Sequence, residues 1–198
     1  MKHIIFDLSE VIIAGQWGIE KKIASRVAQD EKYIDTALMN EDFFDLLRGK
    51  ITEKKYSENV IRQENWNISV DFLEKITRNN FHNEIAGTRE VLKKLKNKNH
   101  ALYVLSDHAK EWMEYIYKVH DFFPIFNKTY FSYELGCLKS EGTPFKLVLE
   151  DLQISPQDAL FIDDNPNNIE KAKKFGIEGI VFKNANQLEG ELLKRNLL

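Results

Sequence analysis

Apolar residues along this chain follow two rhythms. Residues 2–8 hold a compact apolar run, Ile4, Ile5 and Phe6 leading to Asp7 and Leu8, which reads as a short buried strand. From residue 17 to residue 80 the apolar positions recur at helical spacing: Ile19, Ile23 and Val27; Phe43, Phe44, Leu46 and Leu47; Tyr56, Val60 and Ile61; Phe72, Leu73 and Ile76. No strand pattern interrupts this block, so it predicts four or five short helices packed as a bundle. Phe43, Phe44, Trp66 and Phe72 read as bundle core, and Trp17 stands where the chain enters the block, in a position to line a cleft.

From residue 86 the rhythm changes to helix, strand, helix, strand. Helices are expected over 87–96, 110–119, 143–152 and 165–175, and a last one from about Gln187. Strands are expected over 101–105 (ALYVL), 128–132 (KTYFS), 159–162 (ALFI) and 179–182 (GIVF). Thr143 reads as an N-cap with Pro144 at the first helical position, and Gly176 as the stop after Phe175. Short apolar strands alternating with amphipathic helices predict an α/β fold, a Rossmann-like parallel sheet with helices on both faces. The helical block then becomes an insertion after the first strand. The expected division is a core of 1–14 and 84–198 and a helical cap of 15–83 placed like a lid.

In such sheets ligands sit beyond the carboxyl ends of the strands. The polar residues just past each strand are therefore the candidates: Asp7; Ser106, Asp107 and His108; Lys139, reached through Tyr133 and Glu134; and Asp163 with Asp164. Three carboxylates on one rim repel each other unless a cation sits among them. An all-oxygen set suits a hard metal, with Mg2+ the expected one. A lysine with hydroxyl and backbone N–H donors suits a dianionic phosphate. A carboxylate attacking phosphorus would divide a difficult hydrolysis into two steps.

Taken in order, FDLSEVI, VLSDH, ELGCLKSEGTPF and LFIDDNPNNIEKAKKFGI resemble the four motifs of the haloacid dehalogenase superfamily. The closer resemblance is to its phosphatase-like members with a helical cap inserted after the first strand. The resemblance implies Asp7 as nucleophile and metal ligand, and Ser106 with the backbone N–H of Asp107 as phosphate binders. It implies Lys139 as the cation that neutralises nucleophile and phosphate. Asp164 becomes a direct metal ligand, Asp163 a second ligand or its outer partner, and Ser9 a ligand through its backbone carbonyl.

Three departures stand out. Most phosphatases of this superfamily carry an Asp at the place of Ser9, where it protonates the leaving oxygen and then activates water. A serine hydroxyl does neither near pH 7, and such help is worth about 10²–10⁴-fold. Glu10 replaces the usual glycine, and Glu10 and His108 are the two residues open to act as substitute acids. The usual lysine-proline is Lys139-Ser140.

The expected activity is magnesium-dependent hydrolysis of a small phosphate ester through an aspartyl-phosphate on Asp7. A metal-free 2-haloacid dehalogenase tolerates Ser9 but leaves the Asp163-Asp164 pair without a purpose. A mutase needs an acid–base group at position 9. A binding protein that kept the pocket and lost the chemistry is the remaining alternative.

Composition narrows the class of partner. The net charge is −3 over 198 residues, with no basic stripe, so nucleic acid is not expected. No apolar run approaches the roughly 20 residues that span a bilayer. The single cysteine, Cys137, permits no internal disulfide. With a first strand that begins at once and no signal pattern, a soluble cytoplasmic protein is expected. The sequence is silent on oligomeric state.

Overall fold

A computed structural model describes residues 2–198; Met1, the first residue of the expected core segment, lies outside the described residues. In chain order the elements are β1 (His3–Phe6), α1 (Ile19–Val27), α2 (Glu31–Leu38), α3 (Glu41–Leu47), α4 (Glu53–Gln63), α5 (Val70–Asn80), α6 (Thr88–Asn97), β2 (Ala101–Ser106) and α7 (Lys110–Val119). They continue with β3 (Lys128–Phe131), α8 (Ser132–Leu135), α9 (Thr143–Leu152), β4 (Ala159–Asp163), α10 (Pro166–Lys174), β5 (Glu178–Val181) and α11 (Ala185–Lys194).

The strands form one sheet in the order β3-β2-β1-β4-β5, every pair parallel. Alternate side chains enter opposite layers, as a pleated strand requires. Ile4, Phe6, Leu102, Val104, Leu160 and Ile162 pack with Leu92 and Leu95 of α6, Met113 and Ile116 of α7 and Leu188 of α11. Ile5, Tyr103, Leu105 and Phe161 pack on the other face with Phe145 and Val148 of α9 and Ile169 and Ala172 of α10. Burial on both faces is why these strands read as continuous apolar runs.

Strand order decides where a ligand can sit. The chain places β2 and β3 on one side of β1 and β4 and β5 on the other. The order reverses at β1, and the crevice beyond β1 and β4 lies at that switch point. Register brings the strand ends level: Phe6 stands opposite both Val104 and Ile162, and the Asp7 N–H donates to the Ile162 carbonyl at 2.8 Å.

Five helices, α1 to α5, occupy the expected helical block. Four begin at a polar residue whose side chain accepts backbone N–H groups of the first turn: Asp30, Asn40, Thr52 and Ser69. The block is fastened to the sheet side near the end of α3. Ser132 Oγ donates to the Leu47 carbonyl at 2.6 Å, and the Arg48 guanidinium holds Glu141 at 2.6 and 2.9 Å. Gly49 adopts φ +72, and a Cβ there would lie 2.7 Å from the Tyr133 carbonyl oxygen. The buried Glu53 carboxylate accepts the Trp112 indole N–H at 2.9 Å and pairs with Arg78.

Several boundaries differ from the expectation. Phe44 is exposed rather than core, because it faces away from the packed side of α3. Ser132 opens α8 instead of ending β3, and α11 starts at Ala185, capped by Asn184. Thr143 does not cap α9. Gly142 does, at φ +87, with Thr143 as the first helical residue and no side-chain cap. The reason is the tight 3₁₀ turn Lys139–Glu141 just before it, which needs a left-handed exit that glycine adopts readily.

A Cβ on Gly142 would meet the Phe175 ring at 2.7 Å. Gly142→Ala is therefore expected to lower stability by about 1–3 kcal/mol through strain at this exit. Urea unfolding of the two proteins checks it; superimposable curves would reject the strained turn.

Candidate active site

Three strand ends, those of β1, β2 and β4, each deliver one piece of a single buried group. Asp7 follows β1, Ser106 ends β2, and Asp163 ends β4, so Ser106 and Asp163 are strand residues rather than loop residues beyond them. Lys139, only 2% exposed, arrives on the 3₁₀ turn before α9. Its ammonium lies 2.7 Å from Asp7 Oδ2 and 2.7 Å from Asp163 Oδ2. The other Asp7 oxygen, Oδ1, accepts the Ser106 hydroxyl at 2.6 Å and the Leu8 N–H at 2.7 Å.

Two further carboxylates act as braces. Asp163 Oδ1 accepts the Asn165 N–H at 2.8 Å and the Asn168 amide at 3.1 Å, so this fully buried carboxylate has no free oxygen. Asp107 Oδ1 and Oδ2 accept the Lys139 backbone N–H at 3.1 and 3.3 Å. Asp164 is half-buried, and among the described residues its carboxylate has no hydrogen bond or ion pair with another residue. One carboxylate oxygen from each of Asp7, Asp163 and Asp164 lies within 4.8 Å of the others.

The electrostatics leave negative charge unbalanced. Burial pushes the Asp7 carboxyl above its ordinary value, with Lys139 and Ser106 opposing and Asp164 adding to the rise. Asp163 is pushed up to about 6 by burial, against Lys139 and with a contribution from Asp7. Asp164 is raised by burial and by Asp163, and Asp107 by burial against Lys139. Burial opposes the charge on Lys139, but Asp163, Asp7 and Asp107 together raise its pKa. An all-oxygen donor set carrying more negative charge than its lysine offsets fits a hard divalent cation.

Position 9 and its neighbours are arranged as the sequence alone does not foresee. Ser9 Oγ lies 2.8 Å from His108 Nε2. His108 is 2% exposed, boxed by the rings of Phe81 at 5.7 Å and Trp112 at 6.0 Å, and its backbone N–H is held by Ser132 Oγ at 3.0 Å. Its Nδ1 has no partner among the described residues. Burial lowers its pKa to about 3, with Lys139 adding to the fall, so the imidazole is neutral at pH 7. Glu10 sits at φ +59 and turns its carboxylate onto the Gly15 N–H at 2.7 Å, bracing its own loop.

All seven predicted site residues, Asp7, Ser9, Ser106, Asp107, Lys139, Asp163 and Asp164, line one region, joined by Asn165 and Asn168. Asn168 was missed in the sequence; its signal was an amide in the first turn of a helix opened by Asn165-Pro166 beside two carboxylates. Trp17, 57% exposed, lines the same cavity.

Four chain segments thus converge at the switch point of a five-stranded parallel sheet. The chain belongs to the haloacid dehalogenase-like hydrolase family, whose sequence profile matches residues 4–182. It is 26% identical over 103 residues to the drimenol cyclase drtB of Aspergillus calidoustus, covering 52% of this chain and 20% of that protein. It is 33% identical over 66 residues to a D-ribitol-5-phosphate phosphatase of Bacteroides thetaiotaomicron, covering 33% of this chain and 32% of that protein. The matches thus span a third or less of the length of these curated relatives. Among solved structures, a haloacid dehalogenase family enzyme of Bacteroides thetaiotaomicron in complex with magnesium and inorganic phosphate is similar in fold. Its TM-score is 0.77 at 23% identity, over 93% of this chain and 95% of that chain. Among the described residues, no helix is long and apolar enough to cross a membrane.

The neutral His108 makes a pH prediction. An unfolded imidazole takes up a proton below about pH 6.5, whereas the folded one does so only near 3. Its contribution to stability is complete above pH 6.5 and is lost as pH falls toward 3. Between pH 7 and pH 5 the protein should lose roughly 2 kcal/mol more than a His108→Gln variant, from about 1.4 kcal/mol per pH unit below 6.5. Urea midpoints at the two pH values measure this; parallel losses in both proteins would reject it.

Proposed function

We propose that this chain is a magnesium-dependent phosphomonoesterase acting on a small phosphorylated molecule through an aspartyl-phosphate on Asp7. The observation that carries the proposal is the state of the Asp7 carboxylate. It belongs to a three-carboxylate group and is held at the same time by a buried lysine and a serine hydroxyl. The resemblance of one segment to a sugar-alcohol phosphatase supports the same reading.

Asp7 attacks phosphorus, and the bond from phosphorus to the leaving oxygen breaks, its electron pair departing on that oxygen, which takes a proton from water. Water then attacks the acyl phosphate, releasing inorganic phosphate and restoring the carboxylate. Lys139 balances charge on nucleophile and phosphoryl oxygens, held in place by Asp163 at its head and Asp107 at its backbone. Ser106 turns from Asp7 to a phosphoryl oxygen when substrate arrives, beside the Asp107 N–H. Asp7, Asp164 and the Ser9 carbonyl would hold magnesium, with Asp163 an outer partner because Lys139, Asn165 and Asn168 occupy its oxygens. Bound there, the ion supplies Lewis-acid stabilisation of the transferring phosphoryl group.

The helical segment 15–83 acts as a cap over the core segments 1–14 and 84–198, excluding water and macromolecules from the site. Cys137 is buried and unpaired, which accords with a reducing, cytoplasmic setting. A metal-free dehalogenase would have to keep Asp163 and Asp164 beside Asp7 with no cation between them, and the upward pKa shifts weigh against that.

Ser9 brings no ionisable group, Glu10 is committed to Gly15, and His108 is neutral and enclosed. Leaving oxygens that need little protonation therefore depart best.

A screen of phosphate monoesters with and without magnesium tests the reading. Turnover should vanish with EDTA and fall by roughly 10³-fold or more in Asp7→Asn. Magnesium-dependent binding without any turnover would instead make this a binding protein. With chemistry rate-limiting, rates should rise as the leaving-group pKa falls, and a flat Brønsted plot would refute the missing acid. Rapid quench should trap a persistent aspartyl-phosphate, and Ser9→Asp should raise turnover of alkyl phosphates by about 10²–10⁴-fold.

A further inference from the structure

The cavity around Asp7 and Lys139 does not end at the phosphoryl site. A second cavity of about 170 Å³ shares Ser9, Glu10, Trp17 and Asp107 with it, and so continues from it toward the helical segment. The farther walls are Ile19, Leu38, Phe43, Leu47, Phe81 and Trp112. With Trp17 they present four aromatic rings from both sides of the seam: Trp17 and Phe43 from the helical segment, Phe81 from the end of α5, and Trp112 from α7.

Charge along these walls has one sign. Glu10, Glu20, Asp35 and Asp107 are acidic, and among the described residues no lysine or arginine lines the cavity. A leaving group with a carboxylate or a second phosphate would meet like charge there and lose its water without a cationic partner. A polyol would surrender hydrogen bonds to water against mainly apolar walls, where the Glu10, Glu20 and Asp107 carboxylates already accept backbone N–H groups, at a cost for each hydroxyl left unpaired. An apolar cavity of roughly 150 Å³ accepts a benzene-sized molecule, and aromatic walls favour a ring stacked offset or edge-on.

We propose that this cavity receives the leaving group of the phosphate ester, and that this group is an uncharged, ring-sized hydrocarbon moiety, aromatic or branched aliphatic. The assignment rests on the phosphomonoesterase reading and goes further by naming the substrate class. It sets this chain apart from a phosphatase of sugar alcohols.

The test compares three esters of primary alcohols with similar intrinsic reactivity: benzyl phosphate, D-ribitol 5-phosphate and phosphoglycolate. On the full chain with magnesium, kcat/KM should be at least about 30-fold higher for benzyl phosphate than for ribitol phosphate, about 2 kcal/mol and the scale of burying one apolar side chain. Phosphoglycolate should be poorest. Ribitol phosphate or phosphoglycolate turned over as well as the benzyl ester would overturn the assignment while leaving the phosphomonoesterase reading intact. Met39→Lys places a cation at a half-exposed wall residue. It should narrow the benzyl-to-phosphoglycolate ratio at least about tenfold, and an unchanged ratio counts against the cavity. If no ester, acetyl phosphate included, is turned over, the phosphomonoesterase reading has failed. The cavity is then read directly, by tryptophan fluorescence with benzylphosphonate and methylphosphonate. Binding at least tenfold tighter for the benzyl compound supports the assignment, and equal affinity overturns it.

Discussion

A single buried ammonium organises this molecule. Lys139 sits 2.7 Å from two carboxylates that end or follow neighbouring parallel strands, Asp7 beyond β1 and Asp163 on β4. Three charges removed from water are tolerated only when each is paired and hydrogen-bonded, and losing one partner of such a group costs about 3–5 kcal/mol. The surroundings meet that demand: Asn165 and Asn168 take up the second Asp163 oxygen, and Ser106 and Leu8 N–H take up the second Asp7 oxygen. Asp107 fixes the lysine's own backbone, and Gly142 closes the turn that delivers it. The same contacts that make the charge cluster tolerable also fix the orientation of the Asp7 carboxylate.

Function and packing meet at position 9. Where a second acid would be expected, a serine hydroxyl lies against a histidine that burial keeps neutral. That histidine is enclosed by Phe81 and Trp112, which also wall the apolar cavity. Ser9 itself lines both the cavity around Asp7 and Lys139 and the space beside it. A charged group at this point would bring an uncompensated ion next to two aromatic rings, which burial disfavours. The absence of an acid at position 9 and the apolar character of the neighbouring space are consistent with each other.

The helical segment reaches the site region through its attachment near the end of α3 as well as through Trp17. Leu47 and Arg48 at the end of α3 are tied to Ser132 and Glu141, and Ser132 in turn holds the His108 backbone. Glu141 lies on the Lys139 turn. The contact between α3 and the sheet side therefore touches both the residue beside Ser9 and the loop that carries the lysine.

Much of this was legible along the chain. Apolar runs of strand length alternating with helical patterns were enough for a parallel sheet with two covered faces, because strands buried on both sides leave that mark in composition. Asp7, Ser106, Lys139, Asp163 and Asp164 could be named because strand ends bring their following residues to one rim. What stayed hidden is what depends on side-chain direction in three dimensions. Asp163 serves Lys139 because Asn168 turns toward it, Glu10 braces Gly15 rather than the site, and Phe44 faces solvent. Ser9 finds His108 across 99 positions of sequence. Local patterns determine which elements form, since periodicity and caps act within a few residues; only the packed fold decides which atoms meet, since those distances are set by strand register and by helices docking from distant parts of the chain.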